Sequence, residues 1–177
     1  MIERTVVVIK PDGVKRNLVE KILKRYTDAG LKIVSQKTVT ATRELAEKHY
    51  PASDEQVVGM GNKTLAAAGE EGAKRIFGTT NSRKIGMTLR KWMIEFLVSG
   101  PVVAVVLEGE DAVQKVRKIT GFTDPSRAEK GTIRGDLGED SIVKANEERR
   151  ATYNLVHASG NKEEADREIK LWFPELT

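Results

Sequence analysis

Apolar positions along this chain alternate between strand-like and helix-like spacing. Thr5–Ile9 (TVVVI) is a short, mostly β-branched run bounded by Pro11 and Gly13, which predicts a buried strand. Val19, Ile22, Leu23 and Tyr26 follow at i, i+3, i+4 and i+7, so Leu18–Ala29 reads as an amphipathic helix closed by Gly30. Leu31–Thr42 alternates weakly and reads as a second strand. Thr42 is placed to cap a short helix over Arg43–Tyr50, stopped by Pro51. Ala52–Gly86 shows no clean period and reads as less regular. Leu89, Met93, Phe96 and Leu97 restore a helical stripe, ended by Gly100–Pro101. Val102–Glu108 is a near-continuous apolar strand.

Asp111 with Gln114 has the spacing of a capping box, ahead of a helix that ends near Thr120. Phe122–Leu137 reads as a polar loop and Asn154–Ala158 as a last short strand. Asn161 with Glu164 marks a closing helix whose apolar face holds Ala165, Ile169 and Trp172. Without the small helices the order is β-α-β-β-α-β, which predicts an α+β, ferredoxin-like antiparallel sheet with extra helices on its faces. A length of 177 residues fits a single domain, 1–177.

Composition narrows the chemistry. The chain has no cysteine and two histidines, which excludes disulfides and thiol nucleophiles and disfavours a protein-built transition-metal site. No signal peptide is visible, and the longest apolar run, Val102–Leu107, is too short to cross a bilayer; a cytoplasmic protein is expected. The net charge of +4 favours anionic partners. Residues 61–91 carry seven Lys/Arg against Glu70 and Glu71, an excess of five that accounts for the whole positive balance.

Neither a G-x-x-x-x-G-K-[ST] loop nor a G-x-G-x-x-G turn is present, so any phosphate must be held by side chains. His157 sits at the end of the last strand. A histidine nucleophile needs one ring nitrogen free and the other held, and Glu168, eleven residues on, can reach back to hold it. His49, four residues from Leu45 on a short helix, reads as a packing or surface residue. Lys10 ends the first strand beside a rigid Pro-Asp-Gly turn and offers a fixed point charge. Arg117, Thr123 and Arg134 are further phosphate ligands in kind, because arginine forks match phosphate oxygens. The bland alternatives are an ordinary strand end, a solvated helix face and a mobile loop charge.

Seven ordered segments resemble the nucleoside diphosphate kinase family: Glu3–Gly13, His49–Tyr50, Ser99–Gly109, Gly121–Pro125, Gly131–Asp136, Asn154–Ser159 and Ala165–Phe173. The resemblance implies a ferredoxin-like fold, a Mg²⁺-nucleoside triphosphate donor and ping-pong transfer of the γ-phosphate to a nucleoside diphosphate. His157 then looks like the phosphorylated histidine, Glu168 the carboxylate that orients it, and Ser159 its helper. Lys10, Arg117, Thr123 and Arg134 look like the phosphate clamp. Asn154 looks like the sugar-hydroxyl contact, shared with Lys10, and Tyr50 like the pocket wall. The metal would ride on the nucleotide phosphates, with no metal ligand from the protein. The resemblance also implies a homo-oligomer, a hexamer or tetramer.

Two stretches depart from the family pattern, within about 52–91 and 138–150, and read as insertions. The family's base-stacking phenylalanine has no match; Leu89 and Met93 fall nearest its place. Two alternatives stand beside this reading: a catalytically weak, nucleotide-binding regulatory paralogue, and an RNA-binding module of the same strand order. The strands Thr5–Ile9 and Val102–Glu108 hold no aromatic residue on which an RNA base could stack, so no specific nucleic acid is expected.

Overall fold

The computed structural model describes all 177 residues. Four strands form one antiparallel sheet in the order β2-β3-β1-β4: β1 Ile2–Ile9, β2 Lys32–Val39, β3 Val102–Glu110 and β4 Val156–Ala158. This is the ferredoxin-like arrangement that the strand-helix order predicts. The central strands β1 and β3 pair in register from Ile2↔Glu110 to Ile9↔Val103. Side chains alternate between faces, so their apolar runs divide into two cores. Val7, Ile9, Val103, Val105 and Leu107 pack with Ile22, Tyr26 and Val116 on one face. Val6, Val8, Ala104 and Val106 pack with Ala46, Ile94, Ile169 and Trp172 on the other. A sheet covered on both faces explains why β1 and β3 read as continuous apolar runs rather than alternating ones.

The helices are α1 Pro11–Lys15, α2 Val19–Asp28, α3 Arg43–His49, α4 Asp54–Phe77, α5 Ser82–Leu97, α6 Ala112–Thr120, α7 Ile133–Leu137, α8 Ile142–Glu147 and α9 Lys162–Trp172. Thr42 caps α3 by accepting from Leu45 N at 3.1 Å, and Asn161 caps α9 by accepting from Glu164 N at 2.9 Å. Both caps follow the spacing in the sequence.

Four expectations are corrected. The stretch 52–86 is not irregular. It holds α4, 24 residues broken only at Gly69 (φ 72°), and the start of α5. Its apolar period is weak because the two helices touch through small residues. A Cβ on Gly61 would lie 1.7 Å from the Ser82 carbonyl oxygen, and one on Gly86 1.9 Å from that of Val57. Asp111 makes no capping box. It lies at φ 50° with no capping bond, and the Glu3 carboxylate accepts from Val113 N at 3.0 Å instead. The polar loop 122–137 ends in α7, capped by Thr132, and residues 138–150 contain α8, capped by Ser141. The Pro-Asp-Gly turn is the first turn of α1, with Pro11 at the helix start, where its missing N–H costs nothing.

Gly61→Ala should destabilise the chain by about 2–4 kcal/mol, because backbone cannot yield to the added methyl. Gly59→Ala, where nothing lies within 4 Å of the new Cβ, should be neutral or stabilising by up to about 1 kcal/mol. Urea unfolding of the two variants tests this. Equal stabilities would show that the α4–α5 crossing tolerates separation.

Candidate active site

His157 lies in β4, paired with Val8 of β1. The strand is entered through Leu155 at φ 72°, a left-handed conformation that costs a non-glycine residue roughly 1–2 kcal/mol. Two bonds hold it there. Leu155 N donates to Asp12 Oδ2 at 3.0 Å, and its carbonyl accepts from Lys10 N at 2.8 Å. The same turn therefore fixes the end of β1 and the start of β4, and sets Lys10 and His157 beside one another.

The His157 Nε2 sits 3.0 Å from both carboxylate oxygens of Glu168 on α9. A carboxylate only accepts, so Nε2 carries the hydrogen and Nδ1 keeps its lone pair. Nδ1 has no hydrogen-bond partner in the protein, and the side chain is 19% exposed. Glu168 is 1% exposed, and Ser159 Oγ donates to its Oε2 at 2.6 Å. Burial pushes the Glu168 carboxyl up. The charge and hydrogen bond of His157, then His49 and Ser159, outweigh it and hold the group at about 2.

The cationic side is equally buried. Lys10 is 8% exposed and its Nζ donates to Asn154 Oδ1 at 2.8 Å. Burial, then the charge of Arg134, lowers Lys10 to about 8. Asn154 Nδ2 donates to the Thr123 carbonyl at 3.0 Å. Arg134 Nε donates to the Asn154 carbonyl at 3.1 Å, and its other nitrogens reach the carbonyls of Gly121 and Val156. Burial lowers Arg134 to about 10, with Tyr26 opposing and the nearby Arg117 adding. Three of its five N–H groups are spent on backbone, which leaves two for an anion. Arg117 and Thr123 are exposed beside this group.

Tyr50 packs edge-on to His157, ring centroids 6.5 Å apart. Leu89 and Met93 are half-buried on α5, outside both cores. Between them Arg90 grips the carbonyls of Glu47 and Tyr50, tying α5 to the end of α3. His157, Glu168, Ser159, Lys10, Asn154, Arg134 and Tyr50 thus gather in one place.

Two residues of this centre escape sequence reasoning. Asp12 was legible only as part of a turn. His49, read from the sequence as a packing or surface residue, is buried, and its ring centroid lies 4.3 Å from that of His157. His49, His157 and Glu168 present donor atoms within 4.8 Å of one another. The atoms that face one another are already engaged: His49 Nδ1 accepts from Trp172, and both Glu168 oxygens face His157 Nε2. A hard cation such as Mg²⁺ also wants an oxygen shell that this trio lacks. A free nitrogen backed by a buried carboxylate and fronted by a lysine and arginines is equipped to accept an anionic group.

A family model described as nucleoside diphosphate kinase matches residues 3–66 and 70–177. The chain belongs to the nucleoside diphosphate kinase family. The break in the match, 67–69, falls at the Gly69 kink of α4. Among family members, the nucleoside diphosphate kinase of Pyrobaculum aerophilum is 44% identical over 98% of this chain and 96% of its own length. That of Caldanaerobacter subterraneus is 42% identical, again over 98% and 96%. The crystal structure of the Pyrobaculum aerophilum NDP kinase superposes with a TM-score of 0.94 at 43% identity, covering 98% of this chain and 96% of its own. A Borrelia burgdorferi nucleoside-diphosphate kinase with bound vanadate and ADP, described as a transition-state mimic, superposes at 0.76 with 32% identity, over 97% and 87% of the two chains. The chain is thus an enzyme of this family, and no helix is long and apolar enough to cross a membrane.

The depressed Glu168 carboxyl makes an acid-stability prediction. A folded-state value of about 2 below the ordinary one means that stability is present at neutral pH and lost as pH falls from about 4.5 toward 2. Glu168→Gln should flatten the fall in unfolding free energy over that window by on the order of 2 kcal/mol. Parallel curves for the two proteins would show that the carboxylate is not held by His157.

Proposed function

We propose that this chain transfers the γ-phosphate of a nucleoside triphosphate to a nucleoside diphosphate through a phosphate carried on Nδ1 of His157. The observation that supports this most is the one-sided holding of the imidazole: Nε2 faces Glu168 at 3.0 Å, while Nδ1 has no protein partner. The Nδ1 lone pair attacks the γ-phosphorus. The bond from that phosphorus to the β,γ-bridging oxygen breaks, and the diphosphate leaves with the electron pair. Phosphorylation on Nδ1 leaves Nε2–H in place and the ring cationic, with the Glu168 carboxylate beside it to offset the charge. A second diphosphate then takes the group by the reverse of the same step.

Lys10, Arg117, Arg134 and Thr123 hold the polyphosphate and offset charge on the equatorial oxygens. The lowered Lys10 still carries its proton for the most part at pH 7. Asn154, fixed between Lys10 and the Thr123 carbonyl, takes a sugar hydroxyl. Tyr50 walls the phosphates, and Leu89 and Met93 line the base. The vanadate and ADP of the Borrelia burgdorferi relative sit well with this reading, since vanadate stands in for a phosphoryl group in transfer.

Mg²⁺ enters as part of the nucleotide substrate, because the surrounding cations give a free ion no carboxylate cage. We read residues 1–177 as one catalytic domain in which 52–91 and 138–150 are insertions. The two insertions meet: Arg75 pairs with Glu147 through both guanidinium nitrogens, and Arg149 reaches the carbonyl of Ile76. Arg75, Arg83, Arg90 and Lys91 of the first insertion all have partners within the chain, so part of its charge is structural rather than free for nucleotide. The reading extends to a cytoplasmic homo-oligomer, a hexamer or tetramer.

Incubation with γ-labelled ATP and Mg²⁺ should place acid-labile, base-stable label on the protein, and His157→Ala should take none. Stable label on the variant rejects the assignment. Glu168→Ala should lower kcat by about 10²-fold while nucleotide affinity changes less than about threefold. Equal losses in both would remove Glu168 from the orienting role.

A further inference from the structure

His49 is buried at 2% exposure, at the end of α3, against the phosphoacceptor. The Trp172 indole Nε1 donates to its Nδ1 at 3.1 Å. An indole N–H only donates, so Nδ1 must keep its lone pair and the ring hydrogen is forced onto Nε2. That Nε2 is buried with no hydrogen-bond partner at all. The fold therefore tolerates an unsatisfied N–H at the centre of its site, a feature that core packing alone would select against. The ring stands at 78° to that of His157 with centroids 4.3 Å apart, and its Nδ1 lies 3.9 Å from Glu168 Oε1. An imidazole in that position has two possible states. Neutral, it is a flat wall against which the His157 ring cannot turn. Protonated on Nδ1, it would be a second cation for the same carboxylate.

We infer that His49 is a positioning residue for the phosphoacceptor: a neutral imidazole, locked in one tautomer by Trp172, which braces the His157 ring and leaves His157 the one imidazole that pairs with Glu168. The inference rests on the phosphohistidine reading of His157. Every neighbouring element bears on the lock. His157 comes from β4, Glu168, Arg167 and Trp172 from α9, Lys10 from the end of β1, and Tyr50 follows His49 itself, ring centroids 4.6 Å away. Burial, then His157, Lys10 and Arg167, all resist a proton on His49, and Glu168 alone invites one. Arg167 also spans the junction, donating to the Lys48 carbonyl at 2.9 Å while its other nitrogen lies 3.6 Å from Glu168 Oε1. The indole bond is the element that blocks the one atom of His49 within reach of that carboxylate.

The rate at which Mg-ATP phosphorylates the protein in a single turnover tests this across pH. Trp172→Phe keeps an aromatic ring but frees His49 Nδ1. Its phosphorylation rate should fall about tenfold near pH 6 and less than about threefold near pH 8, as His49 gains a proton and competes for Glu168. His49→Gln keeps an acceptor for Trp172 but cannot titrate, so its loss should be the same at both pH values. The double variant His49→Gln, Trp172→Phe should lose the pH dependence of Trp172→Phe. Half-saturation by ATP should stay within about twofold throughout.

A pH-independent loss in Trp172→Phe, or a loss that follows half-saturation, overturns the inference. Absence of label on the unsubstituted chain overturns instead the phosphohistidine reading on which it stands. Nitrogen NMR of the unsubstituted protein supplies a test that needs no variant. The lock predicts a His49 with hydrogen on Nε2 and no titration between about pH 5.5 and 8.5. A His49 carrying hydrogen on Nδ1, or one that titrates in that range, refutes it.

Discussion

A carboxylate with almost no access to water organises this site. Glu168 faces into the protein from α9 and is 1% exposed. Left alone there, it would take up a proton, since burial of an unpaired charge is strongly unfavourable. It stays ionised because His157, Ser159 and, at longer range, Arg167 converge on its two oxygens. The constraint works in both directions. The groups that keep Glu168 charged are themselves held by it, and one of them is the imidazole that needs to be held. Nε2 of His157 is committed, and Nδ1 is the nitrogen left for chemistry. A nucleophile prepared in this way needs no motion to select a tautomer before it reacts.

The same economy appears on the cationic side. Lys10, Asn154 and Arg134 are bound to one another and to the backbone of the turn that carries His157. Burial strips water from both cations with only Asp12 and nearby tyrosines to offset it, and this tension pulls both below their ordinary proton affinities. A polyphosphate relieves that tension on arrival, because its oxygens supply the missing partner. The strained Leu155 belongs to the same account. Its left-handed backbone is held by Asp12 and by the end of β1, so the lysine and the histidine are placed by one turn.

Much of this was legible in the chain itself. The β-branched runs of β1 and β3 announced a doubly covered sheet, and the separation of eleven positions from His157 to Glu168 matched the reach of a helix folded back on a strand. What was not legible depended on distant partners. The helix cap at Val113 comes from Glu3, 110 residues away, so the local Asp111 spacing misled. The α4 helix buries only Val57, Gly61, Thr64 and Ala73, a sparse and mostly small set, and a period search is weak on such a surface. His49 sits on a short helix whose pattern allows it either a packed or a surface position. Only Trp172, 123 residues later, gives its ring a fixed tautomer, and only the sheet brings it against His157.

The central claim concerns one nitrogen atom, and that atom can be observed. After incubation of nitrogen-15-labelled protein with Mg-ATP, coupling between phosphorus and the ring nitrogens of His157 reports where the phosphate is attached. The geometry predicts phosphate on Nδ1, with Nε2 still bearing a hydrogen bonded to Glu168. Phosphate on Nε2, or on any residue other than His157, would contradict it.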